Sequence, residues 1–288
     1  MDEPLAPGLY LVATPIGNLE DITLRALRIL RGVDRIACED TRQTQKLLNH
    51  FEIHTPTVSY HMHNEAPRAE ELIAQLREGA RIAVVSDAGT PGIADPGAEI
   101  VRAAIAAGVP VFPIPGANAA LSALVASGLS TESFTFHGFL PAKEGQRRTF
   151  LEKLPRADES VETHIFYEAP HRVLDTLADI EATFGASQQV VLAREVTKLH
   201  EEFLRGTVHE IAQQLTSRPA IRGEFVLLFA PDALQQNSSA QSIAAEVRAL
   251  MQSEDLSEKD ALKRVARDRG IGKSKAYREL QREQSRSR

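Results

Sequence analysis

Two patterns of apolar and polar positions alternate along the first part of the chain. Short apolar runs of strand length, "GLYLVAT", "RIAC", "TVSY", "RIAVVS" and "VPVFPI", are separated by stretches with helical spacing at 22–30, 41–51, 68–77 and 96–107. Strand and helix in strict turn predict a mainly parallel sheet with helices on its faces. The punctuation is clearest for the fourth helix, where Asp95 is expected as N-cap, Pro96 at the first helical position and Gly108 as the stop.

From "ANAALSALVASG" onward the pattern changes. The apolar runs "FTFHGF", "THIFYEA", "QQVVLARE", "EEFLRGTV" and "EFVLLFA" include pairs with too little chain between them for a crossover helix, so antiparallel or mixed pairing is expected. The reading is therefore of an α/β domain at 1–116, an α+β domain at 117–231 and a polar linker at 232–242. The tail at 243–288 reads as helical. Ser257 and Asp260 suggest a capping box, Ala261, Leu262, Val265 and Ala266 an apolar stripe, Gly270 a stop, and Ala276, Tyr277 and Leu280 a second stripe. Two short helices about a glycine have the outline of a helix-turn-helix.

Charge separates the tail from the body. Residues 240–288 carry 12 Lys/Arg against 8 Asp/Glu, leaving 21 against 31 for the rest, and Lys263–Arg288 alone holds 10 basic and 3 acidic residues. Such a segment suits an acidic partner, with Lys273, Lys275 and Arg278 as candidate contacts. The overall charge of −6 restricts any RNA contact to local basic patches. With 43% hydrophobic and 25% charged residues, the composition is that of a soluble globular protein. No apolar run approaches the roughly 20 residues of a membrane span and the start lacks a signal-peptide pattern, so a cytoplasmic location is expected. Cys38 is the single cysteine, which excludes an internal disulfide and a cysteine zinc cluster. His61 and His63 lack ligand-spaced companions, neither His200 nor His209 opens an HExxH motif, and no metal is expected.

Three loops share one construction: "TPIGN" after the first strand, "SDAGTPG" after "RIAVV", and "PIPGAN" after "VPVF". At the carboxyl ends of strands in an open α/β sheet they would converge on one crevice. Proline fixes the backbone and glycine allows close approach, which suits a preformed pocket for a compact molecule. Phosphate fits poorly. There is no GxGxxG, "GIGKS" lacks the first glycine of a Walker loop, and Asp87 and Asp95 near the mouth would repel a polyphosphate while accepting hydroxyls or a cationic centre. A nucleoside with a positive centre, such as S-adenosylmethionine, fits better.

These motifs carry a resemblance. "GLYLVATPIGNLEDITLRAL", "CEDTR", "VSDAGTPGIADPG", "PIPGANAALSALVASGL", "FHGFLP", "FYEAPHR" and "REVTKLHEE" resemble the ribosomal RNA small subunit methyltransferase I family, cytidine 2′-O-methyltransferases within the tetrapyrrole methylase superfamily. It spans about Gly8 to Pro231, and the tail is similar to that family's C-terminal helix-turn-helix extension. The resemblance implies a two-domain tetrapyrrole methylase-like (class III methyltransferase) α/β fold, a homodimer, and S-adenosylmethionine held between the domains. The implied acceptor is a cytidine ribose in the decoding centre of small-subunit rRNA, as free rRNA or in the assembled 30S subunit. The implied cofactor set is Pro15, Ser86, Asp87, Ala88, Gly89, Thr90, Ile93, Ala94, Pro115, Gly116, Ala117, Asn118, Phe166, Tyr167 and Glu168.

A ribose hydroxyl is a weak nucleophile, so a residue that takes its proton should help. Glu168 and His171 in "FYEAPHR", Glu39 and Asp40 in "CEDTR", and Glu195 or Lys198 in "REVTK" are candidates, and the sequence does not choose among them. Arg42 and Arg172 are placed to pair with Glu39, Asp40 or Glu168, which would lower the carboxylates' pKa and make them poor bases. RNA phosphates are the expected partners of Arg172 and of Lys143, Arg147 and Arg148 after "FHGFLP", with Arg42 also a candidate. Two other readings stay open: a methyltransferase acting on a porphyrin-like small molecule, and a noncatalytic RNA-binding assembly module.

Overall fold

The computed structural model describes residues 4–61, 65–155, 162–231, 247–248, 250–252, 257–268, 276–277 and 280. The chain forms two compact units, Met1–Ala233 and Leu234–Arg288. The larger unit contains two five-stranded sheets.

The first sheet is parallel throughout, with strands β1 (Gly8–Val12), β2 (Arg35–Cys38), β3 (Thr57–Ser59), β4 (Arg81–Val85) and β5 (Val111–Ile114) in the order β3-β2-β4-β1-β5. Helices cover both faces, so the inner strands read as nearly unbroken apolar runs: β4, "RIAVV", is buried from its second residue on. Pro113 lies inside β5 without harm because β5 is an edge strand paired only to β1. Helices α1 (Leu24–Gly32) and α2 (Thr41–His50) pack on one face through Ile29, Leu30 and Leu48. Helices α3 (Glu65–Arg77) and α4 (Ala98–Ala106) pack on the other through Leu72, Ile73, Ile100 and Ala104.

This order creates a crevice. The chain leaves β1 toward β2 on one side, and leaves β4 toward β5 on the other. The loops that follow these two neighbouring strands therefore part above their carboxyl ends, where ligands of open α/β sheets bind.

The second sheet contains β6 (Phe134–Phe139), β7 (Thr163–Glu168), β8 (Gln189–Arg194), β9 (Glu202–Thr207) and β10 (Phe225–Phe229) in the order β6-β7-β10-β8-β9. Only β6 and β7 are parallel, so the sheet is mixed. Helices α6 (Glu144–Glu152), α7 (Val173–Phe184) and α8 (Val208–Thr216) cover one face over a core of Leu151, Phe166, Leu177, Ile211 and Phe229. Burying each such side chain contributes about 1.5–3 kcal/mol. The other face carries α5 (Ala119–Ser127), which starts where Asn118 accepts from the Leu121 N–H and stops at left-handed Gly128. Ile16, from the loop after β1, joins that second core and ties the two sheets together.

One helix start differs from the expectation. The N-cap of α4 is Gly97, with φ 139 and no side-chain cap, so α4 begins at Ala98 rather than at Pro96. Gly92 N–H donates to the Pro96 carbonyl and Gly97 N–H to Glu65 Oε1, and these bonds shape a tight turn that leaves Asp95 free of capping. In the smaller unit, helix Glu258–Asp268 buries Ala261 and Val265 against Val247 and Leu280. The Asp260 N–H donates to Ser257 Oγ, and that hydroxyl donates to the Asp260 carboxylate. Ala276 and Leu280 are buried as the second stripe requires, whereas Tyr277 is exposed. The glycine turn and Lys273, Lys275 and Arg278 lie outside the described residues.

Candidate active site

The loops after β1 and β4 are joined at their bases. Thr14 and Gly89 exchange both backbone hydrogen bonds, at 2.9 and 3.1 Å, with Gly89 at φ 82, a conformation a side chain would strain. Ser86 is buried and its hydroxyl donates to the carbonyls of Ala88 and Gly89, while Thr90 Oγ1 donates to the Ala117 carbonyl at 3.3 Å. Across from them runs the loop between β8 and β9. There Lys198 Nζ donates to Glu195 Oε1 and Glu224 Oε2, each at 2.8 Å. Gly17 makes room for the lysine stem: a Cβ at that position would collide with Lys198 Cγ.

These two loops hold most of the strained backbone. Among the described residues, non-glycine positive φ occurs at Glu52, Ala94, Glu195 and Thr197, and three of these four lie in the two facing loops. Each such residue costs on the order of 1–3 kcal/mol, and concentrated strain points to a functional site.

Between the loops lies a cleft of about 360 Å³. Its size is at the lower end of small-molecule sites, about 300–1,000 Å³. Ile16, Gly89, Ile93, Ala94, Val196 and Val226 give it a small and aliphatic wall, and Asn118, Asp95, Lys198 and Glu224 add polar groups. Phe139 and Tyr167 complete one side.

Asp95 is the telling residue. Burial, reinforced by the nearby carboxylates of Glu39 and Asp87, pushes its pKa up to about 6, and a hydrogen bond with Ser86 only partly opposes this. Burial and Asp87 likewise raise Glu39. The Lys198 ammonium behaves oppositely. Burial disfavours its charge, but Glu195 and Glu224 outweigh that and raise its pKa, so it stays protonated at neutral pH and cannot act as a base.

Of the expected cofactor set, Ala88, Gly89, Thr90, Ile93, Ala94, Asn118, Tyr167 and Glu168 line the cleft. Pro15, Ser86, Asp87, Pro115, Gly116 and Ala117 lie in the loops after β1, β4 and β5 but not in the cleft lining. Asp87 accepts from the Asp40 N–H at 3.1 Å. The side chain of Phe166 does not face the cleft: it points to the opposite face of the second sheet, stacked 4.7 Å from His137 and 5.7 Å from Phe229, because β7 alternates its side chains.

The "FYEAPHR" residues also differ from expectation. Glu168 is buried, accepts from Thr176 Oγ1 at 2.6 Å and lies 2.8 Å from Arg172 Nε. Arg172 in turn donates to the Leu140 carbonyl at 2.7 Å. Both are held in an internal network, which argues against Glu168 as a base and Arg172 as a phosphate contact. His171 is exposed and lies outside the cleft lining. Arg147 is likewise internal: 4% exposed, its Nε donates to Asp179 Oδ2 at 2.6 Å. Arg148 shares Asp179 and also pairs with Glu144, while Lys143 is exposed. Arg42 pairs with Asp40, the N-cap of α2, at 3.0 Å.

The sequence offers Asp95 two places, at the mouth of the crevice and as the cap of α4, because "DPG" before a helical pattern also fits a cap; the structure has it in the cleft and not at the cap. The signal against capping was Gly97, which tolerates the turn that detaches Asp95 from the helix.

Parallel sheet, mixed sheet and a cleft between them at the strand ends define a class. Residues 8–212 match the model of the Tetrapyrrole (Corrin/Porphyrin) Methylases, and the chain belongs to that family, whose methyl donor is S-adenosylmethionine. Within it, the chain belongs to the ribosomal RNA small subunit methyltransferase I family. It is 50% identical over 278 residues to the ribosomal RNA small subunit methyltransferase I of Halalkalibacterium halodurans, covering 93% of each chain. With that of Bacillus subtilis it shares 44% over 274 residues, covering 93% of this chain and 92% of the relative. Solved structures of uroporphyrin-III-C-methyltransferase from Thermus thermophilus (TM-score 0.55, 24% identity, 78% of this chain and 94% of that one) and diphthine synthase (TM-score 0.58, 14%, 77% and 89%) share the fold.

Proposed function

We propose that this protein methylates the 2′-hydroxyl of a cytidine ribose in the decoding centre of small-subunit rRNA, with Asp95 receiving the proton. The acceptor class rests on relatives named for small-subunit rRNA methylation. The observation that carries the chemistry is a half-buried carboxylate of raised basicity inside a preformed cleft.

The residues present fit the donor. Gly89 contributes backbone to the cleft lining and its missing Cβ lets Ile16 pack close, the aliphatic side chains exclude water, and Asp95 and Glu224 favour a cation. When bound, S-adenosylmethionine supplies an electrophilic methyl group on a good leaving group. The chain adds position and a proton acceptor. Rigid loops on both walls hold the reacting groups in line, which is the larger contribution when the leaving group is already good. Asp95, with a pKa near the working pH, accepts the hydroxyl proton as the new bond forms. Lys198, fixed by two glutamates, keeps the loop carrying it in place rather than moving a proton.

RNA is drawn in locally. Lys143 at the start of α6 and the basic residues of the C-terminal segment supply positive charge that the body lacks. A homodimer completes the proposal. Leu121 and Val125, one turn apart on α5, expose 47% and 75% of their surface. Val125→Glu should convert the dimer to monomer in sedimentation, and a wild-type monomer would overturn this part.

The test of function is transfer of labelled methyl from S-adenosylmethionine to small subunits lacking 2′-O methylation, with nuclease mapping of the product. Label is expected on a cytidine ribose of the decoding centre. Cofactor binding without label on subunits or free rRNA would transfer the assignment to a small-molecule acceptor.

A further inference from the structure

Strand β6 contains an irregularity that the reaction as described does not use. Phe136 pairs with Ile165 in β7, and the next pair is Phe139 with Tyr167, so three steps along β6 match two along β7. The extra residue is accommodated at Gly138, whose φ is 68. Regular alternation would put Phe139 on the face opposite Phe136. The bulge instead brings it onto the face of Tyr167, where both phenylalanines meet that ring edge-on, at 4.8 and 5.8 Å between centroids. A bulge beside a site commonly serves to re-aim a side chain.

The redirected ring is then left bare and held still. Phe139 lines the cleft yet is 56% exposed. The next residue, Leu140, is buried in the core of the second sheet, and its carbonyl is the one that Arg172 grips under the control of Glu168. The ring thus packs on Tyr167 and is anchored through its buried neighbour Leu140, while more than half of Phe139 stays exposed. Lys143 follows at the exposed start of α6.

We propose that Phe139, backed by Tyr167, is a stacking platform for a nucleobase swung out of the RNA chain, so that its ribose enters the cleft toward Asp95. This rests on the reading of RNA as the acceptor. Unpaired bases are commonly recognised by stacking on aromatic rings, and the cleft is too confined to admit a nucleotide still stacked within a helix. Phe139 is not among the residues expected to hold the donor, and it is 56% exposed where it lines the cleft. Stacking is sequence-tolerant, so the platform holds the nucleotide without selecting cytidine.

The test uses full-length protein, small ribosomal subunits as acceptor, and separate calorimetry of S-adenosylmethionine binding. Phe139→Ala and Phe139→Leu should each lower kcat/KM for subunits about 10–100-fold, the loss expected for one base–aromatic stack. Cofactor affinity should stay within about twofold, and Phe139→Trp should keep near wild-type activity. Wild-type activity in the alanine or leucine variant would overturn the platform, the latter by showing that apolar bulk suffices. A parallel loss of cofactor affinity would also overturn it, by making the ring a donor contact. Failure of the wild-type protein itself to methylate subunits or rRNA would instead remove the acceptor reading beneath it.

Discussion

Asp95→Asn is expected to reduce methyl transfer by about 10²–10⁴-fold, the range for removing a positioned general base. Asparagine keeps the shape of the side chain and its ability to bond Ser86, but it cannot take a proton. The pH profile makes the test specific. With a pKa of about 6, Asp95 is protonated and ineffective below that value, so wild-type kcat/KM should rise as pH increases through 6. That limb should be missing in the variant.

Stability should move the other way. The folded-state pKa lies above the ordinary 3.8, so the folded protein binds the proton more tightly than the unfolded chain. Stability from this group is full below about 3.8 and is lost as pH rises through about 6. At pH 7 the variant escapes the repulsion from Glu39 and Asp87, and its urea midpoint should exceed that of the wild type. Lower activity with higher stability is the mark of a strained functional group. Unchanged kcat/KM, or a variant that keeps the limb near pH 6, would remove Asp95 from the mechanism.

Asp179→Ala is expected to destabilise the protein by about 3–5 kcal/mol, the cost of leaving a buried charge unpaired. Asp179 is 2% exposed and takes hydrogen bonds from Arg147 Nε and Arg148 Nε, each at 2.6 Å. Removing the carboxylate strands the Arg147 guanidinium, itself 4% exposed, with the Ala142 carbonyl at 3.2 Å as its remaining hydrogen-bond partner among the described residues. Urea unfolding measures the loss. Arg147→Met combined with Asp179→Leu should recover much of it, because two apolar groups leave no charge behind. The salt dependence of RNA binding should be unchanged in Arg147→Met and shallower in Lys143→Ala. A loss under 1 kcal/mol in Asp179→Ala would mean that Arg147 reaches water and is available to RNA after all.

Much of this architecture was legible in the chain. The ten strands stand where apolar runs of strand length stand, because a strand's need for apolar, β-forming residues is local. Asn118 and Gly128 bound α5 as their capping chemistry requires. The loops after β1, β4 and β5 could be recognised by their glycine and proline, and their place at the strand ends made a crevice foreseeable. Motifs shared with the methyltransferase family supplied the donor.

Which side chain does what could not be read in the same way. "FYEAPHR" and the segment after "FHGFLP" display acids, a histidine and several cations that look equally free on paper. Glu168 is spent on Thr176 and Arg172, and Arg147 on Asp179, through partners up to 32 residues away whose arrival depends on packing α6 and α7 over the sheet. Phe166 and Tyr167 are neighbours in sequence but face opposite cores, and Phe139 reaches the cleft through a bulge whose register is set by pairing with β7. Asp95 was visible both as a helix cap, because capping is a local motif, and as an acid near the mouth of the crevice, but not as a base. Its raised pKa depends on burial, on Glu39 at the end of β2 and on Asp87 at the other end of its own loop.

The sequence by itself determined the elements, their alternation and the kind of loops between them, since propensity, periodicity and turn chemistry act over a few residues. Only the tertiary structure decided which charges are neutralised, which aromatic ring stays bare and which carboxylate remains basic. Those properties arise from distance and desolvation among groups remote in the chain, and folding alone brings them together.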